Sequence, residues 1–322
     1  MDTNSEFIII PANPIDYGLV VSLIHNYPIK EFNAFYGLFT VRNLLMNIES
    51  WPGMQKQCFL VYKNELLIGF WGLIIFRGHY IYDAIWYVHP LFMTDKFFDS
   101  FDKIITKIAK ENNIEKERCV LKSNYGPLIR KYFKKGFYKI SEWYSTYGDN
   151  SIINFDAEYG FEIQYASEND LKNIKQFLQK SGKFPDNQMY LQDVFPHPLD
   201  ELNLQELIAR NRVIIAYQGD EINGFCVFNI ALASDLFPVN VLEICYFNGE
   251  GPAFYQLIIF LKNNLKDWSL IKINTVDTKI LNSLLKKGFS CEFLNKLKTN
   301  TGFNNNKKYF DFLVSVVLER SL

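Results

Sequence analysis

One stretch of this chain occurs twice. Arg118 to Phe137 reads RCVLKSNYGPLIRKYFKKGF, and Leu270 to Phe289 reads LIKINTVDTKILNSLLKKGF. Each begins with a short run containing β-branched apolar residues, passes a polar turn, and continues as an amphipathic helix closed by Lys-Lys-Gly-Phe. Leu128, Ile129, Tyr132 and Phe133 match Ile280, Leu281, Leu284 and Leu285, which is helical spacing on one buried side. Gly136 and Gly288 fall where a left-handed C-cap is needed, each after two lysines that suit the negative end of a helix dipole.

The repeat extends upstream. Tyr62 to Phe70 (YKNELLIGF) matches Tyr217 to Phe225 (YQGDEINGF), and Phe7 to Tyr17 matches Phe161 to Leu171, aligning Ala12 with Ala166 and Asp16 with Asp170. Three matches in one order at nearly one offset point to duplication of a whole domain. The length of 322 residues is comfortable for two such domains, divided as 1–150 and 151–322 at the polar stretch Gly148 to Glu158.

Each half reads as strand, two helices, three meander strands, helix, strand, helix, strand. In the first half the strands fall at Phe7–Ile10, Cys58–Tyr62, Leu66–Phe76, His79–Val88 and Phe137–Tyr147, with a helix whose one face is Ile15, Leu19, Val20, Leu23 and Ile24, another over Leu38–Ile48, and a third along the Phe97, Phe101, Ile104, Ile105 and Ile108 stripe. In the second half, Ser167 with Asp170 forms a capping box, and Ser181 to Pro198 is an insertion without a counterpart. A helix near Leu202–Ala209, a hairpin over Val213–Ala231, a strand at Val239–Phe247, a helix at Ala253–Leu265 and a last strand at Tyr309–Leu318 complete the order.

Composition narrows the chemistry. The 34 basic and 35 acidic residues leave a formal net charge of -1, so no polyanionic partner is implied and nucleic acid is not expected. Cys58, Cys119, Cys226, Cys245 and Cys291 form no CxxC pair and read as buried thiols in a reducing compartment. His25, His79, His89 and His197 lack metal-site spacing, so no metal is expected. The start resembles no signal peptide, and the longest apolar run, Leu66 to Phe76, is too short for a membrane helix. A cytoplasmic protein without membrane contact is the expectation. Oligomeric state is not legible.

The element order, the strand ending Val88-His89-Pro90, and the helix ending Tyr132-Phe133-Lys134-Lys135-Gly136-Phe137 resemble the GCN5-related N-acetyltransferase (GNAT) superfamily, in tandem over nearly the whole chain. The resemblance implies an α/β fold of two tandem GNAT-like domains, each a mixed, mostly antiparallel twisted sheet flanked by helices. It also implies acetyl-CoA as acyl donor, its pantetheine arm entering between splayed fourth and fifth strands. The pyrophosphate would lie on a glycine-rich loop at a helix N-terminus, where unsatisfied amides favour an anion.

The first copy departs from the family's loop pattern. Leu91-Phe92-Met93-Thr94-Asp95-Lys96 has no glycine and carries an acid, so the first domain reads as degenerate. The second copy keeps two glycines in Asn248-Gly249-Glu250-Gly251-Pro252, with Tyr246 where the family has Arg or Gln. That loop reads either as a phosphate cradle or as a tight turn into a helix with Pro252 at its first position. The resemblance thus assigns cofactor contacts to the Ile244, Cys245 and Tyr246 backbone, to Asn248, Gly249, Glu250 and Gly251, and to Asn274.

For catalysis the resemblance offers Tyr132 as general acid, a position held by Leu284 in the second copy, with Glu243 as general base on the fourth strand and Asp83 as its counterpart. The alternative for Tyr132 is a core tyrosine; for Glu243, a solvent-facing strand position. No cysteine is placed with a histidine as a nucleophile, which favours direct attack of the amine on the thioester. The leading expectation is an N-acetyltransferase, active in its second copy, acting on a small-molecule or peptide primary amine. The competing one is a binding module in which both copies have lost chemistry; a tRNA-dependent aminoacyl transferase is disfavoured by the charge balance.

Overall fold

The computed structural model describes residues 7–26, 41–47, 53–88, 90–122, 126–153, 155, 160–181, 188–191, 195–231, 239–249, 251–275, 277–289 and 315–322. Compact packing divides the chain into a first unit, Met1–Ser141 with Val316–Leu322, and a second, Glu142–Ser315.

In the first unit, strands β1 (Phe7–Pro11), β2 (Met54–Lys63), β3 (Leu66–Phe76) and β4 (Tyr80–Val88) form an antiparallel meander. The fifth, β5 (Lys116–Lys122), runs parallel to β4, and the sheet order is β1-β2-β3-β4-β5-β14, with β14 (Ser315–Ser321) from the end of the chain. Helix α1 (Tyr17–Asn26) buries Val20, Leu23 and Ile24, whereas Ile15, in the 3-10 turn before it, and Leu19 of the expected face are exposed; residues 41–45 are helical within the expected Leu38–Ile48 helix, whose positions 38–40 and 48 lie outside the described residues. Helix α2 (Asp95–Asn112) buries Phe97, Phe101, Ile105 and Ile108 of the predicted stripe against Trp71, Leu73 and Val88, with Ile104 half-buried. Helix α3 (Gly126–Lys134) follows β5.

The second unit repeats the pattern. Its sheet order is β7-β10-β11-β12-β13-β6, formed by β7 (Glu162–Tyr165), β10 (Val213–Gln218), β11 (Glu221–Ala231), β12 (Val241–Gly249), β13 (Leu270–Thr275) and the part of β6 (Tyr138–Asp149) beyond Ser141. Helices α4 (Leu171–Ser181), α5 (Glu201–Ala209), α6 (Gly251–Asn264) and α7 (Thr278–Lys286) flank it. The expected insertion carries a two-stranded ribbon, β8 (Gln188–Leu191) with β9 (Phe195–Pro198). Each strand that closes one half of the sequence therefore completes the sheet of the other unit, relative to a division of the chain at residue 150.

Local chemistry sets the ends of the duplicated helices. Gly136 (φ 86°) and Gly288 (φ 89°) adopt the left-handed conformation. Phe137 N–H donates to the Tyr132 carbonyl and Phe289 N–H to the Leu284 carbonyl, both at 3.1 Å. This is the Schellman arrangement, and it drops both phenylalanines into the core. At the other end of a helix, the Ser167 and Asp170 box is present, with Ser167 N–H donating to Asp170 Oδ2 at 2.8 Å.

Strand β14 is fixed to its unit by buried charge. The sequence pattern predicts the last strand at Tyr309–Leu318; its described part begins at Ser315 and continues through the polar residues Glu319 and Arg320. Those two residues explain the extension. Arg118 Nε donates to Glu319 Oε2 at 2.7 Å, and Tyr138 Oη donates to Glu319 Oε1 at 2.7 Å. On the opposite face Arg320 Nε donates to Glu117 Oε2 and its Nη2 to Asp102 Oδ1, each at 2.6 Å. Burial works to raise the Glu319 carboxyl, but the Tyr138 hydrogen bond and the Arg118 guanidinium together hold it below the ordinary carboxylate range.

A carboxylate depressed in the folded state adds stability above its unfolded pKa and loses it as pH falls through the folded value. Glu319→Ala leaves Arg118 buried without this carboxylate and should lower unfolding free energy by about 3–5 kcal/mol. Urea titrations at neutral pH should read that loss. Repeating them at pH values falling below the carboxylate range should narrow the gap between wild type and variant; a gap independent of pH would contradict the assignment.

Candidate functional site

The central feature of each unit is a fork. Strands β12 and β13 pair in parallel only over Val241↔Leu270 to Ile244↔Ile273. Beyond that point β12 continues against β11 as far as Gly224↔Gly249, while β13 continues against β6 through Asn274↔Ser145 and Thr275↔Tyr144. The first unit forks likewise: β4 and β5 pair from Ile81↔Glu117 to Asp83↔Cys119, and β4 then follows β3 to Gly69↔Val88.

A β-bulge sits at each fork. The β11–β12 register passes from Phe228↔Ile244 to Val227↔Tyr246, leaving Cys245 without a partner in either ladder. The β3–β4 register passes from Leu73↔Asp83 to Gly72↔Ile85, leaving Ala84 in the same state. An extra residue bends the strand and re-aims the residues beyond it, so a short parallel pair can open. Nothing in the sequence pattern distinguishes Cys245 or Ala84 as bulged.

The bulges correct one expected correspondence. Asp83 occupies the register position of Ile244, not of Glu243, and a shift of one residue reverses the sheet face. Ile244 accordingly packs in the core with Phe254, Ile271 and Leu284. Glu243 looks the other way. It does not face solvent: its side chain is fully buried, with Oε1 3.1 Å from Lys272 Nζ, itself fully buried. Asn229 Nδ2 on β11 lies 3.5 Å from Glu243 Oε2. Lys272 carries no motif; its partnership follows only from the parallel register Glu243↔Lys272.

In the first unit the candidate acid and base come together. Tyr132 Oη donates to Asp83 Oδ2 at a long 3.4 Å, with both residues buried and the tyrosine ring edge-on to Phe137. Burial foremost, then the charge of Asp83, lifts the Tyr132 hydroxyl well above its ordinary range, so the phenol keeps its proton. Burial also raises the Glu117 carboxyl, against Arg320 and a hydrogen bond with Asp83. Asp83, at the last β4–β5 pair, thus holds the protonated phenol, while Glu117 lies inside the parallel ladder, two residues before the fork opens.

The loops after the forks differ. In the first unit Pro90–Phe92 forms a single 3-10 turn, Thr94 Oγ1 caps α2 by accepting from Phe97 N–H at 3.3 Å, and Asp95 occupies the first turn. The Met93 carbonyl accepts from Lys131 Nζ at 2.7 Å. This helix start is already capped and compensated by an acid, which disfavours a second anion.

In the second unit Gly249 and Gly251 have different reasons. Gly249 has φ 144°, and a Cβ there would lie 2.5 Å from the Asn223 carbonyl oxygen and 2.7 Å from Gly224 Cα. Its lack of a side chain is required by the neighbouring strand. A Cβ on Gly251 would meet nothing within 4 Å, so the first residue of α6 is open to approach. Glu250 lies outside the described residues, as do His89 and Cys291. Asn248 and Tyr246 are both buried, and burial raises the Tyr246 hydroxyl.

Asn274 stands one residue beyond the last parallel pair. It is 6 % exposed, and its Oδ1 accepts from Ser145 Oγ at 2.7 Å. Its Nδ2 is buried with no hydrogen-bond partner among the described residues. An amide donor held by one end and left unsatisfied at the other is a prepared contact for an acceptor entering the fork.

Cys58, Cys119, Cys226 and Cys245 are free and buried, and burial pushes the Cys58 thiol up to about 12. None is an activated nucleophile. Among the described residues no cluster of His, Cys, Asp and Glu could hold a metal.

No protein-family model matches the chain, and no curated protein matches it in sequence. Solved structures do. A tandem GNAT protein from the clavulanic acid biosynthesis pathway, solved without AcCoA, superposes with a TM-score of 0.54 at 10% identity, covering 98% of each chain. This chain has the tandem GNAT fold. A GCN5-related N-acetyltransferase from Sphaerobacter thermophilus gives a TM-score of 0.55 at 10% identity, over 98% of this chain and 95% of that one. In GNAT terms, the forks are the splayed fourth and fifth strands of the two copies.

The two glycines can be told apart experimentally. Gly249→Ala should destabilise the protein by on the order of 1–3 kcal/mol, because backbone atoms cannot yield as a side chain can. Gly251→Ala should leave the melting temperature essentially unchanged. Thermal unfolding of both variants checks this; equal effects would mean that the two positions share one role.

Proposed function

We propose that the chain is an acyl-CoA-dependent N-acetyltransferase whose second unit holds acetyl-CoA and transfers the acetyl group to a primary amine, small molecule or peptide, by direct attack. The observation that carries this reading is the fork of β12 and β13 with Cys245 outside both ladders and the unpartnered Asn274 Nδ2 just past it. The open Gly251 at the start of the long helix α6 supports the same placement. The first unit supports the division of labour: its helix start is capped, and Asp83 at the edge of its fork is held by the Tyr132 hydroxyl.

Acetyl-CoA, when bound, supplies the activated thioester. In this reading the chain does the rest. Asn274 Nδ2 would donate to an amide carbonyl of the pantetheine arm, and the Gly251 end of α6 would hold the phosphates. The backbone at the Cys245 bulge is directed at the thioester carbonyl. Glu243 would take a proton from the substrate ammonium, freeing the amine lone pair to attack the thioester, and Lys272 positions that carboxylate. With Leu284 at the position of Tyr132, the second unit has no phenol at that position, and solvent would protonate the departing thiolate.

The direct test is calorimetric. Acetyl-CoA should bind at one site per chain, and Asn274→Ala should weaken it about tenfold, the loss of one buried hydrogen bond, while Ser145→Ala has a smaller effect. No binding at millimolar ligand would favour the alternative, a binding module in which neither unit retains chemistry.

The base assignment needs a paired variant, because Glu243→Gln alone leaves the Lys272 ammonium buried and should unfold part of the population. Glu243→Gln with Lys272→Met removes both charges together. It should restore stability yet reduce kcat about 100-fold and flatten its pH profile. Full activity in the double variant would remove Glu243 from the mechanism.

A further inference from the structure

Two carboxyl groups meet inside the first unit. Glu117 of β5 is fully buried, and Asp83 of β4 is 4% exposed. The parallel register sets Asp83 opposite Cys119, and Glu117, two residues earlier, shares that sheet face. Arg320 Nε of β14 donates to Glu117 Oε2 at 2.6 Å. No N–H or O–H of the described residues reaches Glu117 Oε1, which is buried, yet this carboxyl is in hydrogen-bond contact with Asp83. A hydrogen bond between two carboxyl groups needs a proton on one of them, because an ionised carboxylate only accepts.

We infer that Asp83 and Glu117 share one proton at neutral pH, and that this proton is a pH-sensitive brace of the first unit, released in alkaline solution. The described groups around the pair leave the proton in place. From α3, the Tyr132 hydroxyl donates to Asp83 Oδ2 at 3.4 Å and keeps its own proton. On β5, burial first and then the charges of Asp83 and Glu117 push the Cys119 thiol well up, so it stays neutral. Arg320 divides its charge between Glu117 and Asp102 of α2, to which its Nη2 donates at 2.6 Å. Lys135, just after α3, is 2.7 Å from Asp99 and 3.6 Å from Asp102, both on α2. Four carboxyl groups thus meet two cations among these residues, and the two carboxyls that touch are the buried ones. Ionising both would put like charges in contact in the interior. One proton removes one of those charges and gives Glu117 Oε1 a donor. The second unit has Ile244 at the register position of Asp83, so the brace belongs to the first unit alone and does not depend on what the second unit binds.

The sign of the pH dependence follows from Glu117, whose carboxyl is raised by burial. A proton retained above the ordinary carboxylate range gives stability that is full below that range and is lost as pH rises toward the folded value. Asp83→Asn replaces the shared proton by an amide N–H that does not titrate. Urea unfolding of the full chain should therefore find Asp83→Asn at least as stable as wild type at neutral pH. Its folding equilibrium constant should gain on that of wild type by about tenfold per pH unit between the ordinary carboxylate range and the pH at which the pair loses its proton. Glu117→Gln, which takes the carboxylate from Arg320, should instead be less stable than wild type at neutral pH. Infrared difference spectra of wild type minus Asp83→Asn at neutral pH should show the C=O stretch of a protonated carboxyl. Asp83→Asn less stable than wild type or unable to fold, a stability gap that does not change with pH, or no protonated-carboxyl band would each overturn the inference.

Discussion

A parallel strand pair that stops after four residues must find other partners for the backbone beyond it. In the second unit β12 takes them from β11 and β13 from β6, so the two outer ladders run on after the inner one has ended. The gap between β12 and β13 is thus held open by hydrogen bonds on its outer sides, not by anything inside it. Cys245 starts the divergence by adding one residue to β12, and Gly249 lets that strand end in contact with the Asn223 carbonyl. Everything assigned to the site depends on this fork: an accessible strand edge, an amide donor past the last pair, and a helix start beyond.

The two units use one architecture for different contents. In the first, Asp83 at the last parallel pair holds the Tyr132 hydroxyl, Glu117 and Arg320 pair behind it, and the following turn is apolar. In the second, the charged pair Glu243 and Lys272 lies on the opposite sheet face, and the fork keeps an unsatisfied amide. One residue of register separates these arrangements, because each residue of slip along a strand exchanges the faces. Duplication thus need not preserve a site even where it preserves the fold.

Much of the fold is legible in the sequence because its signals are local. The C-cap glycines Gly136 and Gly288, the Ser167–Asp170 box and the Phe97-to-Ile108 stripe each rest on residues within a few positions of one another. The features that escape a sequence reading are long-range. The partnership of Glu243 with Lys272 spans 29 residues, and that of Arg118 with Glu319 spans 201. The bulges leave no composition signal, so matching Asp83 with Glu243 by sequence alone crosses a one-residue slip. Gly249 and Gly251 look like one motif, although one answers to a neighbouring strand and the other to open space. Strand exchange between the halves is likewise invisible to periodicity, since β6 and β14 have the same pattern wherever they pair.

Hydrogen exchange read by mass spectrometry, on the intact chain with and without acetyl-CoA, addresses the central claim most directly. A ligand seated in the second fork should slow exchange in peptides covering Val241–Gly249, Leu270–Thr275 and the start of Gly251–Asn264, and leave Tyr80–Val88 and Lys116–Lys122 unchanged. Protection confined to the first unit's strands, with none at Val241–Gly249, would contradict it.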